Sequence, residues 1–87
     1  MKVSVWDTYV QRVDGKVMHF DILVTNEVTD EEIIYGFGKQ YLKTKPFGTE
    51  QLTAKECRFC HIEQATEQII SSIENVGFHI IEMENCD

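Results

Sequence analysis

Apolar and polar residues alternate over two stretches at the start of the chain, residues 3–13 and 16–25, both rich in β-branched and aromatic side chains. Such a period of two is the signature of half-buried strands. Between them stands Asp14-Gly15, a strong short-range signal for a two-residue hairpin turn. With those two residues at the centre of the turn, Arg12 is expected opposite Val17, Val10 opposite His19, Thr8 opposite Asp21 and Trp6 opposite Leu23. Register sorts side chains onto faces. One face then gathers Val3, Val5, Tyr9, Met18, Phe20, Ile22 and Val24 around a single acid, Asp7. The other carries Trp6, Thr8, Val10, His19, Asp21 and Leu23.

The period then lengthens. Thr29-Asp30-Glu31-Glu32 reads as a capping box, with acids suited to the positive end of a helix dipole. A helix is expected over 30–43, burying Ile33, Ile34, Phe37, Tyr41 and Leu42. Gly36 and Gly38 weaken it, which points to close packing on a sheet or backbone approach to a ligand. A loop over 44–55 contains Pro46 and Gly48, and 56–63 alternates as a third strand. Thr66 caps a second helix over 67–76, with Ile69, Ile70, Ile73 and Val76 as its apolar stripe and Gly77 as its stop. Residues 78–83 form a last strand. The expectation is one α+β domain of order β-β-α-β-α-β. Helix crossovers favour parallel neighbours, so a mixed sheet is expected, opened by an antiparallel hairpin and with both helices on one face.

Size and charge narrow the function. A chain of 87 residues hides only about 60–65% of its unfolded surface, enough for one core. The net charge of −7 opposes the basic footprint that binding to nucleic acid or an anionic membrane requires. Lys39, Lys43 and Lys45 cluster, but at a helix C-terminus, where cations complement exposed carbonyls. No apolar run is long enough to span a bilayer, and the N-terminus lacks a signal-like core, so a cytoplasmic location is expected. Three cysteines in a reducing compartment read as free thiols or ligands.

Candidate chemistry concentrates in Cys57-Arg58-Phe59-Cys60-His61. Its Cys-x-x-Cys-His spacing is formally that of a c-type haem attachment, which needs export and a distal ligand that the sequence does not supply. A thioredoxin-like dithiol needs its first Cys at a helix N-terminus, and none is expected at Cys57. Zinc fits better, since Cys57, Cys60 and His61 are three of the four ligands of a tetrahedral site. A fourth could come from His79, Cys86, His19 or Asp7. Regular strand alternation opposes this, placing Cys57 and His61 on one face and Cys60 on the other. The structural alternative is that Cys57, Phe59 and Cys60 simply pack between sheet and helices.

Three further residues are candidates on their own account. Asp7 among apolar neighbours needs a partner or a shifted pKa, as a site acid or ligand or, more commonly, by meeting a helix N-terminus or backbone amide near the end of the sheet. His19 and Asp21, two apart on one face, could pair as imidazole and carboxylate, although a solvated polar stripe on a half-covered sheet is commoner. No nucleophile elbow, phosphate loop or helical His pair occurs, so no catalytic constellation is expected. The expected function is a non-catalytic binding or regulatory module. The alternatives are a zinc protein using the cysteine cluster and a small metal- or thiol-dependent enzyme. Self-association is the partner left open.

The chain resembles a small bacterial family known as domain of unknown function number two thousand and twenty-four. The residues that carry the resemblance are Val5-Trp6-Asp7-Thr8-Tyr9-Val10, Asp14-Gly15-Lys16-Val17-Met18-His19-Phe20-Asp21, Glu56-Cys57-Arg58-Phe59-Cys60-His61, Asn75-Val76-Gly77-Phe78 and Met83-Glu84-Asn85-Cys86. It spans nearly the whole chain and implies a small stand-alone α+β domain. It implies no activity.

Overall fold

In the computed structural model, which describes residues 1–52 and 56–87, the chain first reverses through three residues, Val13, Asp14 and Gly15. Gly15 takes φ of +93°, a left-handed conformation that side chains rarely adopt. The Arg12 amide donates to the Lys16 carbonyl at 2.7 Å and the Gly15 amide to the Arg12 carbonyl at 3.1 Å, which closes the loop. Strand β1 (Lys2–Gln11) therefore pairs with β2 (Val17–Thr25) with Gln11 opposite Val17. This corrects the expected register by one residue. A three-residue loop ending in a left-handed glycine uses the same Asp-Gly dipeptide as a two-residue turn. Because side chains alternate, the slip exchanges the partners on both faces.

Ser4, Trp6, Thr8 and Val10 now share a face with Val24, Ile22, Phe20 and Met18. On the other face Val3, Val5, Asp7 and Tyr9 lie opposite Thr25, Leu23, Asp21 and His19.

Helix α1 (Glu31–Leu42) covers the first face, with Ile34 packed among Trp6, Val10, Met18, Phe20, Ile22 and Val24. Its N-cap is Asp30, one residue after the expected Thr29, and its carboxylate accepts from the Glu32 amide at 2.9 Å. Helix α2 (Glu67–Val76) begins at Thr66 and stops at left-handed Gly77, as its sequence signals imply. It lies on the opposite face, where Ile69 and Ile73 close over Val3, Val5 and Leu23. The two helices thus do not share a face, which corrects the expectation. The run Ile22-Leu23-Val24, buried throughout, supplies apolar side chains to both faces at that end of the sheet.

Strand β3 (Cys57–Gln64) pairs with β1 and β4 (His79–Glu84) with β2, giving the order β3-β1-β2-β4. Every pairing is antiparallel, so the sheet is not mixed. The crossover through α1 does leave β2 and β3 running in the same direction, but β1 lies between them. The element order β-β-α-β-α-β stands as expected. Of the expected loop over 44–55, residues 53–55 lie outside the described residues. No helix among the described residues is long and apolar enough to cross a membrane.

The two helical glycines separate cleanly. A methyl group at Gly38 would collide with Leu52 and press on Ile22 at 3.1 Å, whereas at Gly36 it would meet nothing within 4 Å among the described residues. Close packing therefore explains Gly38 but not Gly36. In urea denaturation Gly36→Ala should gain up to about 1 kcal/mol of helix propensity. Gly38→Ala should lose about 1–2 kcal/mol to overpacking. Equal stability of the two variants would refute this account of Gly38.

Candidate metal centre

The register of the hairpin sets Asp7 directly opposite Asp21, and Tyr9 opposite His19, on the face that carries α2. Since α2 packs over the Val3, Val5 and Leu23 end, the end bearing Tyr9 and His19 is left more open. The Tyr9 and His19 rings stack there, centroids 4.2 Å apart and planes within 10°. His19 Nε2 lies 3.4 Å from Asp7 Oδ1 and 3.8 Å from Asp21 Oδ1. One ligand atom from each of the three side chains lies within 4.8 Å of the other two. Arg58 stands opposite Asp7 on β3, and a cleft of about 350 Å³ lined by Asp7, Tyr9, Glu56 and Arg58 opens beside the cluster.

Burial separates the two acids. Asp21 is 6% exposed, and its Oδ1, the atom facing His19, has no hydrogen-bond partner among the described residues. Burial first, and the adjoining Asp7 second, push the Asp21 carboxyl up to about 6. Asp7 is held below the usual carboxylate range, chiefly by its hydrogen bond with Asp21 and then by His19. Below about pH 6 the two neighbouring carboxyls therefore hold one proton between them, the more buried Asp21 as the acid. A divalent cation could replace that proton and satisfy both acids.

The cysteine cluster is arranged differently from a regular strand. β3 is bulged, with Phe59 opposite Trp6 and His61 opposite Val5, so Cys60 is the extra residue. The bulge turns Cys60 to the side of His61, whose Nδ1 is 3.1 Å from its sulfur. His61 Nε2 lies 3.2 Å from Glu63. Cys57 remains on the α1 face, buried, and accepts from the Thr8 hydroxyl at 3.6 Å. The structure therefore brings Cys60 and His61 together but separates Cys57 from them across the sheet. Burial pushes the Cys57 thiol up. Desolvation and then Asp7 do the same to Cys60. Both shifts run opposite to the lowered pKa of a reactive cysteine.

Among the other candidates, His79 accepts or donates at 2.8 Å to Ser72 of α2 and is part of the helix's seat on the sheet. Cys86 is buried and donates to the His19 carbonyl at 3.4 Å. Asp7, expected on the opposite face from the His19 and Asp21 pair, joins them in one cluster. Tyr9 and Arg58 join them unannounced, and the correct register was the signal that would have placed both. A larger cleft of about 490 Å³ lies along residues 42–52. Its Lys45 is engaged by Glu82 at 2.5 Å, and among the described residues no comparable ligand cluster lines it.

A family model described as Domain of unknown function (DUF2024) matches residues 1–83. Among curated proteins none matches the chain. The solved structures include a similar one, the NMR structure of protein NE1680 from Nitrosomonas europaea, a Northeast Structural Genomics Consortium target. It is 39% identical, aligns over 100% of both chains and superposes with a TM-score of 0.80.

The acid pair makes stability depend on pH. The folded protein holds the Asp21 proton up to about pH 6, whereas an unfolded aspartate releases it near about 4. This contribution is full below about pH 4 and is lost as pH rises through about 6. Asparagine imitates the protonated acid. In chelator-treated protein, Asp21→Asn should therefore exceed the parent by about 1–2 kcal/mol at pH 8 and lose that advantage near pH 4. Thermal melts across this range read the effect, and a pH-independent difference would exclude the shared proton.

Proposed function

The chain belongs to the family of the Domain of unknown function (DUF2024), and from the chemistry of its acid pair we propose that it is a binding module for a first-row divalent cation, held by Asp7, His19 and Asp21. The supporting observation is the buried Asp21 Oδ1, unpartnered among the described residues and 3.8 Å from the imidazole. A buried polar atom without a partner is costly. A cation coordinated there would satisfy it while balancing the two carboxylates. Two oxygens and one imidazole nitrogen favour zinc and its neighbours over magnesium, which prefers oxygen and water throughout.

The proposed ligands replace the Cys57, Cys60 and His61 set. Cys57 is on the wrong face to join it, while Cys60 and His61 sit at the rim, near enough to Asp7 and Asp21 to contribute to their electrostatics. Three protein ligands leave at least one coordination position for water or an exchangeable group. The adjacent cleft with Arg58 is where such a group would lie. Tyr9, stacked on His19, would fix the imidazole plane.

Untagged protein stripped with chelator should take up about one zinc per chain in native mass spectrometry and calorimetry. Asp21→Asn and His19→Gln should each weaken uptake by about tenfold or more. Cys57→Ser should leave it unchanged. Absence of uptake by the parent, or loss on Cys57→Ser but not on Asp21→Asn, would overturn the assignment.

A further inference from the structure

Strand β3 lies at one edge of the sheet, and seven of its eight residues are exposed. Long exposed edges invite further strands, and proteins blunt them with Pro, charged residues such as Lys, short length or bulges. β3 contains neither Pro nor Lys, and its bulge and charged residues do not hide its apolar side chains. It instead displays Phe59 and Ile62, 53% and 48% exposed, and both point to the α1 face, since they lie opposite Trp6 and Ser4. Arg58 and Glu63, opposite Asp7 and Val3, point to the face of the metal centre.

The bulge makes this edge self-complementary. Cys57, Phe59, Ile62 and Gln64 lie on one face. Arg58, Cys60, His61 and Glu63 lie on the other, because Cys60 is the extra residue and its sulfur meets His61. When two strands pair antiparallel, opposite residues must share a face. For two copies of β3 one register meets this condition along the whole strand: Cys60 opposite His61 of the second copy. Phe59 then meets Ile62, Arg58 meets Glu63, and Cys57 meets Gln64, each pair occurring twice about a two-fold axis. Shifting by one residue in either direction sets apolar side chains against the charged face. The matched register joins opposite charges on one side and apolar groups on the other, and each such cross-strand pair is favourable.

We propose that this protein self-associates through β3, with a second copy adding its own β3 antiparallel in the register that pairs Arg58 with Glu63. The occupant is a second copy rather than an unrelated strand because the complementarity is of the edge with itself. Two four-stranded sheets then become one of eight strands. Each Cys60 is brought beside the His61 of the other copy, at the rim of both metal centres. The association needs no metal.

Sedimentation velocity across a micromolar concentration series, with chelator present, tests it. The parent should shift reversibly from monomer to dimer. Arg58→Glu places four acids around the axis and should weaken the dimer by about tenfold or more. The exchange Arg58→Glu/Glu63→Arg should restore it, a rescue that nonspecific association would not show. Both residues are exposed, and circular dichroism checks that each variant stays folded. A parent that is monomeric throughout the series overturns the proposal. So does a dimer indifferent to Arg58→Glu, or one that the exchange fails to restore.

Discussion

The left-handed conformation at Gly15 is the constraint on which the other arrangements depend. It ends a three-residue loop and so makes Gln11, not Arg12, the partner of Val17. A slip of one residue would mix the two sets of side chains, placing Asp7 across from the apolar Ile22 and His19 across from Val10. Neither helix could then close on a continuous apolar surface. The loop is reinforced from outside. The Arg12 guanidinium meets Asp14 at 2.7 Å and also donates to the carbonyls of Asn85 and Asp87, so the C-terminal end is tied to the same turn. Asp14 in turn accepts from the Lys16 amide at 3.1 Å.

With the register set, the sheet divides along its length as well as across its thickness. Toward Val3 and Leu23 both faces are covered, α1 on one side and α2 on the other, and the interior there is apolar. Toward Tyr9 and His19 the α2 face is less covered. An adjoining acid pair would be expensive in the first region, where desolvation penalises both charges. At the boundary it is tolerable, since Asp7 reaches solvent while Asp21 shelters beneath it. That gradient of exposure is what separates their proton affinities, and it is also what would let an ion enter from the cleft.

Much of the architecture was legible from local chemistry. Thr66 and Gly77 mark α2 because capping and left-handed stops are properties of a few adjacent residues. The order of elements follows from alternating periods. Register and strand order were not legible in the same way. Asp14-Gly15 serves either turn, because a glycine in the left-handed region suits both, and only the pairing of distant residues decides between them. Helices on opposite faces were hinted at by Phe20-Asp21-Ile22-Leu23-Val24, where apolar alternation fails after Asp21. Such a run means a strand covered on both sides. Asp7, His19 and Asp21 were each visible as chemically uneasy residues, yet their union required the register.

The bulge at Cys60 was hidden for a related reason. Read as a regular strand, Cys57 through His61 alternates, and the spacing Cys-x-x-Cys-His looks like a ligand set divided between two faces. An inserted residue reverses the alternation partway along, so Cys57 stays with Thr8 in the core while Cys60 joins His61 outside. A pattern of residues thus acquires its chemistry from the partner strand: opposite Val5 and Trp6, β3 must accommodate an extra residue. The same irregularity sets the faces of Arg58, Phe59, Ile62 and Glu63, and with them what the edge of the sheet can recognise. Its physical role is therefore double. It removes Cys57 from any ion held with Cys60 and His61, and it gives an otherwise sticky edge a single register in which charge meets charge.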